Sequence, residues 1–361
     1  MRRMVSLKSH WLLFVVIASS IVVGSVQAVQ GADGDGSVEV QEGLMALDLE
    51  ELMNLRVSST EVMGINHTHP EGEWMFGYKY QHTKRKGYKD GTKTLSVSDV
   101  FDRGYTTVPT EMRMEMHLVH LMYGLSDNLT LMAMLPYMRK SMDHVKTPPG
   151  LPFTAESEGI GDIKAMGLYT FFKRKHHRIQ LTGGLSLPSG SIDTKSSTGA
   201  QLEYPMQLGS GTVDFCPAIT YSGQSSGDDW YWGTHAEGTI RLGENNRDYT
   251  LGNRLTLTTW ATRMWSEWMS TSIRLDGHVW GDIDGADPRL EEEKEVEWTR
   301  DPDLADGKRV DLLLGVNVFQ QEGKLKGHRV SVEAGFPIYE WLDGPQLGVD
   351  WILRAGWQWA F

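Results

Sequence analysis

From residue 73 to the end, apolar and polar positions alternate in short segments. The last segment is the clearest. Trp351, Leu353, Ala355, Trp357, Trp359 and Phe361 take every second position, with Arg354, Gly356 and Gln358 between them. A period of two sends successive side chains to opposite faces of a strand. Trp74, Phe76, Tyr78 and Tyr80 repeat the pattern near the start of the region, and Leu129, Leu131, Ala133, Leu135 and Tyr137 repeat it further on. Twelve strands are predicted: 73–84, 112–123, 129–138, 159–172, 178–187, 212–221, 230–242, 249–263, 267–280, 309–319, 327–338 and 346–361.

The links between these strands fall into two sets. One set (85–111, 139–158, 188–211, 243–248, 281–308 and 339–345) contains every long link. The other (124–128, 173–177, 222–229, 264–266 and 320–326) is uniformly short. Long loops at one end and short turns at the other are the asymmetry of an outer-membrane barrel. A soluble sandwich is the competing fold, and it gives no reason for that segregation. The expected fold class is therefore all-β, a transmembrane antiparallel β-barrel of about 12 strands. It spans residues 73–361, with the long links outside the cell and Phe361 at the periplasmic interface.

Composition agrees. Hydrophobic residues make up 40% of the chain, and no long apolar run follows the N-terminus, which argues against a helical membrane protein. Residues 1–28 read as a signal peptide: Arg2, Arg3 and Lys8, an apolar core at 11–23, then Val26-Gln27-Ala28 as the cleavage site. An N-terminal anchor is the alternative. Removing that segment takes 3 of the 35 Lys and Arg and leaves 32 against 47 Asp and Glu, a net charge near −15. So acidic a chain argues against nucleic-acid binding. The single Cys216 forms no internal disulfide. Residues 29–72 form an expected periplasmic segment, with a short helix at 47–55 where apolar residues return at helical spacing. That helix resembles the segment that opens the plug of TonB-dependent receptors, though the chain is too short for a plug and a 22-stranded barrel.

Several phrases in order resemble one transporter family. They are Gly124-Leu125-Ser126-Asp127-Asn128-Leu129-Thr130-Leu131, Leu135-Pro136-Tyr137, Gly159-Ile160-Gly161-Asp162-Ile163-Lys164, Leu187-Pro188-Ser189-Gly190-Ser191 and Gly209-Ser210-Gly211-Thr212. Together they resemble the outer-membrane β-barrels labelled for the MetA pathway of phenol degradation, from about residue 73 to the end. The resemblance implies a transporter or channel for a small solute. It implies no catalytic residue, and its phenol label is too loose to name a substrate.

Candidate chemistry lies on the predicted inner faces. Asp350, Arg354, Arg274, Asp276, His278, His235, Glu237, Arg241, Glu333, Asp162 and Lys164 would line a pore or pair with one another across it. Methionine is abundant, at 18 residues. Thioether and imidazole favour Cu(I), so a copper-binding or copper-exporting protein is the alternative function. Its candidate ligands are His67 and His69 on an exposed segment, with Met112, Met114, Met116, His120, Met132 and Met134 pointing inward. Methionine as pliable apolar filler is the plainer explanation. The acidic run at 291–295, with Asp301, Asp303 and Asp306, would hold a divalent cation or simply be solvated. No serine-hydrolase, zinc-protease or phosphate-loop phrase appears, so neither an enzyme nor a cofactor is expected. The expected partners are the outer-membrane bilayer, the assembly machinery that reads the C-terminal strand, and an unidentified solute. A barrel without an open pore is the third functional reading.

Overall fold

Each alternating segment pairs antiparallel with its neighbours, and the first pairs with the last. The computed structural model describes residues 67–147, 152–320 and 323–361. The predicted signal peptide and the helix at 47–55 lie outside the described residues. The wall contains β1 (Trp74–Gly91), β3 (Thr107–Ser126), β4 (Leu129–Lys146), β5 (Phe153–Ile160), β6 (Ile163–Arg174) and β7 (His177–Leu187). It continues through β8 (Asp214–Phe215), β9 (Ala218–Gln224), β10 (Trp230–Arg241), β12 (Arg254–Ser266), β13 (Met269–Trp280), β15 (Gly307–Phe319) and β16 (His328–Ala360). Three short strands, β2 (Lys93–Leu95), β11 (Tyr249–Thr250) and β14 (Asp284–Gly285), belong to the loops.

The long β16 folds back on itself. The Ala360 amide donates to Gly327 O, Arg329 donates to Gln358 Oε1, and Val349 N donates to Glu340 Oε1. One half pairs with β15 and the other with β1, so β16 supplies two staves. β5 and β6 share one stave beside β4, and β8 and β9 share one beside β10. The ring is thus an antiparallel barrel of twelve staves.

The strand breaks have local causes. Pro217 has no N–H for the ladder and separates β8 from β9. Between β5 and β6, the Asp162 carboxylate accepts from Gly190 N at 2.9 Å and Ser210 N at 2.7 Å, which pulls the chain toward the loops. Several strands outrun their predicted bounds at the long-loop end. β1 reaches Gly91, β3 begins at Thr107, and β4 runs to Lys146. There neither face meets lipid, so the alternation that reveals a strand disappears.

The outer face is a continuous apolar band, with Leu121, Leu131, Leu135, Leu181, Ile219, Ile273, Leu314, Val316 and Val332 all exposed. An exposed apolar surface of that extent marks contact with lipid or a partner. Trp74, Trp265, Trp268, Trp359 and Phe361 rim it at the short-turn end.

Candidate functional site

Strand parity puts a second, polar surface inside the ring. Its middle layer is a charged band. Arg354 Nη1 lies 2.7 Å from Asp276 Oδ2 and 3.5 Å from Glu333 Oε2. Arg274 Nε donates to Glu333 Oε1 at 2.9 Å. Arg354 Nε also donates to Gln81 Oε1 at 3.2 Å, and Thr258 Oγ1 donates to Asp276 at 2.8 Å. These groups come from β1, β12, β13 and both halves of β16, so the band covers one side of the inner face. Arg354, Arg274, Asp276 and Glu333, predicted from sequence, are brought together here and are almost fully buried.

Toward the long-loop end lies a chamber of about 200 Å³. Arg85, Arg254 and Arg309 line it, with Tyr204, Trp280, Trp298 and Gln346. Arg309 and His278 share Asp311, at 2.9 and 3.5 Å. Among the described residues, no ion pair or hydrogen bond joins the side chains of Arg85 and Arg254 to any other group, and Arg85 Nε is buried without an acceptor. The chamber lining itself holds three arginines, Arg85, Arg254 and Arg309, against the one carboxylate of Asp301, with Asp311 paired to Arg309 beside it. The chamber lining is thus of positive sign in a chain whose net charge is −12.

Two loops roof the chamber. In the connection from β7 to β8, Pro205 O and Gln207 O accept from Lys140 Nζ at 2.9 and 2.5 Å, and Met206 O accepts from Ser157 Oγ at 2.8 Å. In the connection from β13 to β15, Val296 O accepts from Thr106 N and Thr107 N, both at 3.0 Å. Leu202, Met206 and Trp298 bury themselves against Tyr88, Met112 and Met142 of the wall. Each large apolar side chain so buried contributes about 1.5–3 kcal/mol, so the roof is held as a packed core rather than a flap. Arg247 and Arg289 clamp Asp193 in the same roof, and the Arg247 hydrogen bonds above all hold its carboxyl down to about 2.

The short-turn end is occupied by the chain itself. Thr68 Oγ1 bonds Thr170 Oγ1 at 2.8 Å, and His69 N donates to Thr130 Oγ1 at 2.8 Å. Thr170 and Thr130 both sit on the inner face, so residues 67–70 lie within the mouth. His67 and His69, expected on an exposed segment, are each 4% exposed, with rings 4.6 Å apart. That expectation is corrected: their segment is threaded into the ring. His120 is buried beside them on β3, and both nitrogens of His67 and of His120 lack a hydrogen-bond partner.

The methionines do face inward. Register sets Met112 opposite Met142, Met116 opposite Met138, His120 opposite Met134 and Met122 opposite Met132. Of the five candidates, all but Met116 divide between two clusters. Met112, with Met114 packed against it, joins the roof core, whereas Met132 and Met134 join Met75, Met122, Met166 and Cys216 near the short-turn end.

Other predicted residues scatter. Lys164 pairs with Glu237 at 3.4 Å, His235 lies 3.7 Å from Glu237, and Arg241 pairs with Asp214. Asp162 holds loops, as described above, rather than facing the band. Asp350 is exposed: Lys84 pairs with Trp351 and Arg85 with Val349, so Asp350 is the extra residue of a bulge and leaves the inner face. Of the acidic run, Glu291 pairs with Lys294 and Glu293 with Arg300, both at 2.5 Å.

Arg85, Arg254 and Arg309 were missed from the sequence. Arg85 sits in the polar run Lys84-Arg85-Lys86, which reads as loop, and Arg254 opens a strand at its polar rim. The available signal was parity, since Arg85 continues the odd-numbered face of Met75, Lys79, Gln81 and Thr83.

An outer membrane channel from Pseudomonas putida F1 has the same fold, with a TM-score of 0.58 at 12% identity, covering 82% of this chain and 98% of that one. The β domain of the Bordetella autotransporter BrkA aligns with a TM-score of 0.42 at 12% identity, over 81% of this chain and 100% of that one. The KdgM porin aligns with a TM-score of 0.36 at 10% identity, over 79% and 99%. No family model matches the chain, and no curated protein matches it.

Proposed function

We propose that this protein is an outer-membrane channel that passes a small anionic solute. The observation that carries the reading is the chamber: two arginines without an ion pair or hydrogen bond, Arg85 and Arg254, face a cavity inside an acidic protein. Such groups need an anion or water, and a confined cationic site raises the local concentration of anions. The tryptophans and Tyr204 beside them suit a small organic acid with an apolar body. The apolar outer band and aromatic rim suit the outer membrane, reached after export by the signal peptide, with assembly through the Phe361 strand. The Pseudomonas putida channel that shares the fold, and the phrases resembling the MetA-pathway barrels, point to the same class.

The test is flux in proteoliposomes. Benzoate-sized carboxylates should equilibrate several-fold faster than amines of the same size, and Arg85→Ser with Arg254→Ser should erase the difference. Equal rates for acids and amines in the native protein would overturn the anion assignment.

One observation favours the copper reading as a second possibility. Five methionines and Cys216 line one inward cluster, and His67 and His120 nearby have unbonded ring nitrogens. Replacing Met122, Met132 and Met134 by leucine should abolish copper binding and copper tolerance in cells if that reading holds, and leave both unchanged if the methionines only fill space.

A further inference from the structure

His144, Glu203 and Glu297 meet in the roof, outside the lumen band. They are 1%, 2% and 2% exposed and come from β4, the β7–β8 connection and the β13–β15 connection. His144 Nε2 is 3.1 Å from Glu297 Oε1 and 3.4 Å from Glu203 Oε1. One ligand atom from each residue can be chosen so that all three lie within 4.8 Å of one another. Nothing in the channel reading uses this cluster.

Three features prepare it for an ion. His144 Nδ1 lies 3.0 Å from Met142 O, and a carbonyl only accepts, so Nδ1 carries a proton; Nε2, facing two carboxylates, carries a second one that an incoming ion would displace. That is the arrangement that orients metal-binding imidazoles. Phe153 stacks on the ring at 4.6 Å and 2°, which fixes its plane. Glu297 is held in turn by Thr299 Oγ1, which donates at 2.7 Å. The third feature points to a missing ligand. Glu203 Oε1 is buried without a hydrogen bond; the cations near this carboxylate are His144 Nε2, 3.4 Å from Oε1, and Arg300 Nη2, 4.0 Å from Oε2, while Arg300 Nε lies 3.4 Å from Glu297 Oε2. A buried carboxylate oxygen without a donor is unfavourable, and a bound cation would meet it more fully than these long contacts do.

We propose that His144, Glu203 and Glu297 bind one divalent first-row transition ion, Zn(II) fitting best, which fastens both roof loops to the barrel wall. Zinc takes imidazole nitrogen and carboxylate oxygen at about 2.0–2.2 Å, so adjacent tetrahedral ligands stand about 3.3–3.6 Å apart. The observed 3.1 and 3.4 Å are close to that edge. Three protein ligands leave a fourth position for water. Harder ions such as Ca(II) require six to eight oxygens, which this cluster does not supply.

The test uses the full chain, purified in detergent and stripped with a chelator. Co(II) serves as the spectroscopic probe and Zn(II) as competitor. One equivalent of Co(II) should bind with visible absorption of a four- or five-coordinate ion, and one equivalent of Zn(II) should displace it while excess Ca(II) should not. Glu203→Gln and Glu297→Gln should each weaken binding by more than about 100-fold, with folding checked by heat-modifiable migration, whereas Asp306→Asn should not change it. Zn(II) should also slow tryptic cleavage at Lys294 at least tenfold. Absence of stoichiometric Co(II) binding by the native chain overturns the proposal whether or not the variants fold, and so does binding retained in a folded Glu203→Gln/Glu297→Gln variant. None of these readouts requires the barrel to conduct.

Discussion

Trp74 and Phe361 exchange both backbone hydrogen bonds. Trp74 N donates to Phe361 O and Phe361 N donates to Trp74 O, each at 2.9 Å. The first residue of the first strand thereby meets the last residue of the chain, and the sheet has no free edge. Phe361 stacks on Trp359 at 4.3 Å, and Trp74 packs on Tyr123 at 4.6 Å, so the seam is sealed by aromatics on its lipid-facing side.

Deleting Phe361 should therefore impair assembly more than conduction. Both bonds to Trp74 and the stack on Trp359 are lost together. Membrane levels of the deletion should fall severalfold, and Phe361→Leu, which keeps the backbone, should fall much less. Normal levels with normal heat-modifiable migration would show that the seam does not depend on its last residue.

Arg354→Ala should destabilise the barrel by about 3–5 kcal/mol, because Asp276 loses its ion pair with Arg354, and Glu333 keeps Arg274 alone. Adding Asp276→Asn should restore part of the loss by removing the stranded charge. Denaturant unfolding in detergent measures both. A cost below about 1 kcal/mol for the single variant would mean that water, not Arg354, solvates this layer.

Gly124 lets the N-terminal segment enter the mouth. A Cβ at this position would lie 1.8 Å from Pro70 O, a backbone atom that cannot rotate away. Gly124→Ala should dislodge residues 67–70, while the ladder beyond it survives. Single-channel conductance should rise. Unchanged conductance with an intact fold would place the restriction elsewhere, in the Arg354 band.

Much of this fold was legible in the sequence, and the reason is lipid. Where the outer face meets hydrocarbon, as at Leu131 and Leu135, alternation is obligatory and visible. Above the membrane that constraint ends, so Arg85 and the extensions of β1 and β4 read as loop. Parity correctly turned Met132, Met134 and Arg354 inward, but it fails at a bulge, and Asp350 was misplaced by one residue. Glu203 and Glu297 lie in irregular loops 94 residues apart, and no local pattern reports that they converge on His144.

Loop order should depend on pH through Asp306. Burial, then the charges of Asp282 and Asp343, push its carboxyl up to about 6, against the weaker pull of Lys308. The folded roof holds this proton more tightly than an unfolded chain does. Its stabilisation is complete below the ordinary value near 4 and is lost as pH rises through about 6. Hydrogen exchange in residues 281–306, corrected for intrinsic rates, should be faster at pH 7 than at pH 5, and Asp306→Asn should flatten the difference. The same pH ratio in both proteins would assign the effect to another group.

A reversal potential measures the sign of the chamber directly. Across a planar bilayer with a KCl gradient, the native channel should reverse on the chloride side of zero. Arg85→Ser with Arg254→Ser should move that potential toward zero or past it. A native channel that favours potassium, or a selectivity untouched by the two arginine changes, would contradict the claim that this chamber draws anions through the barrel.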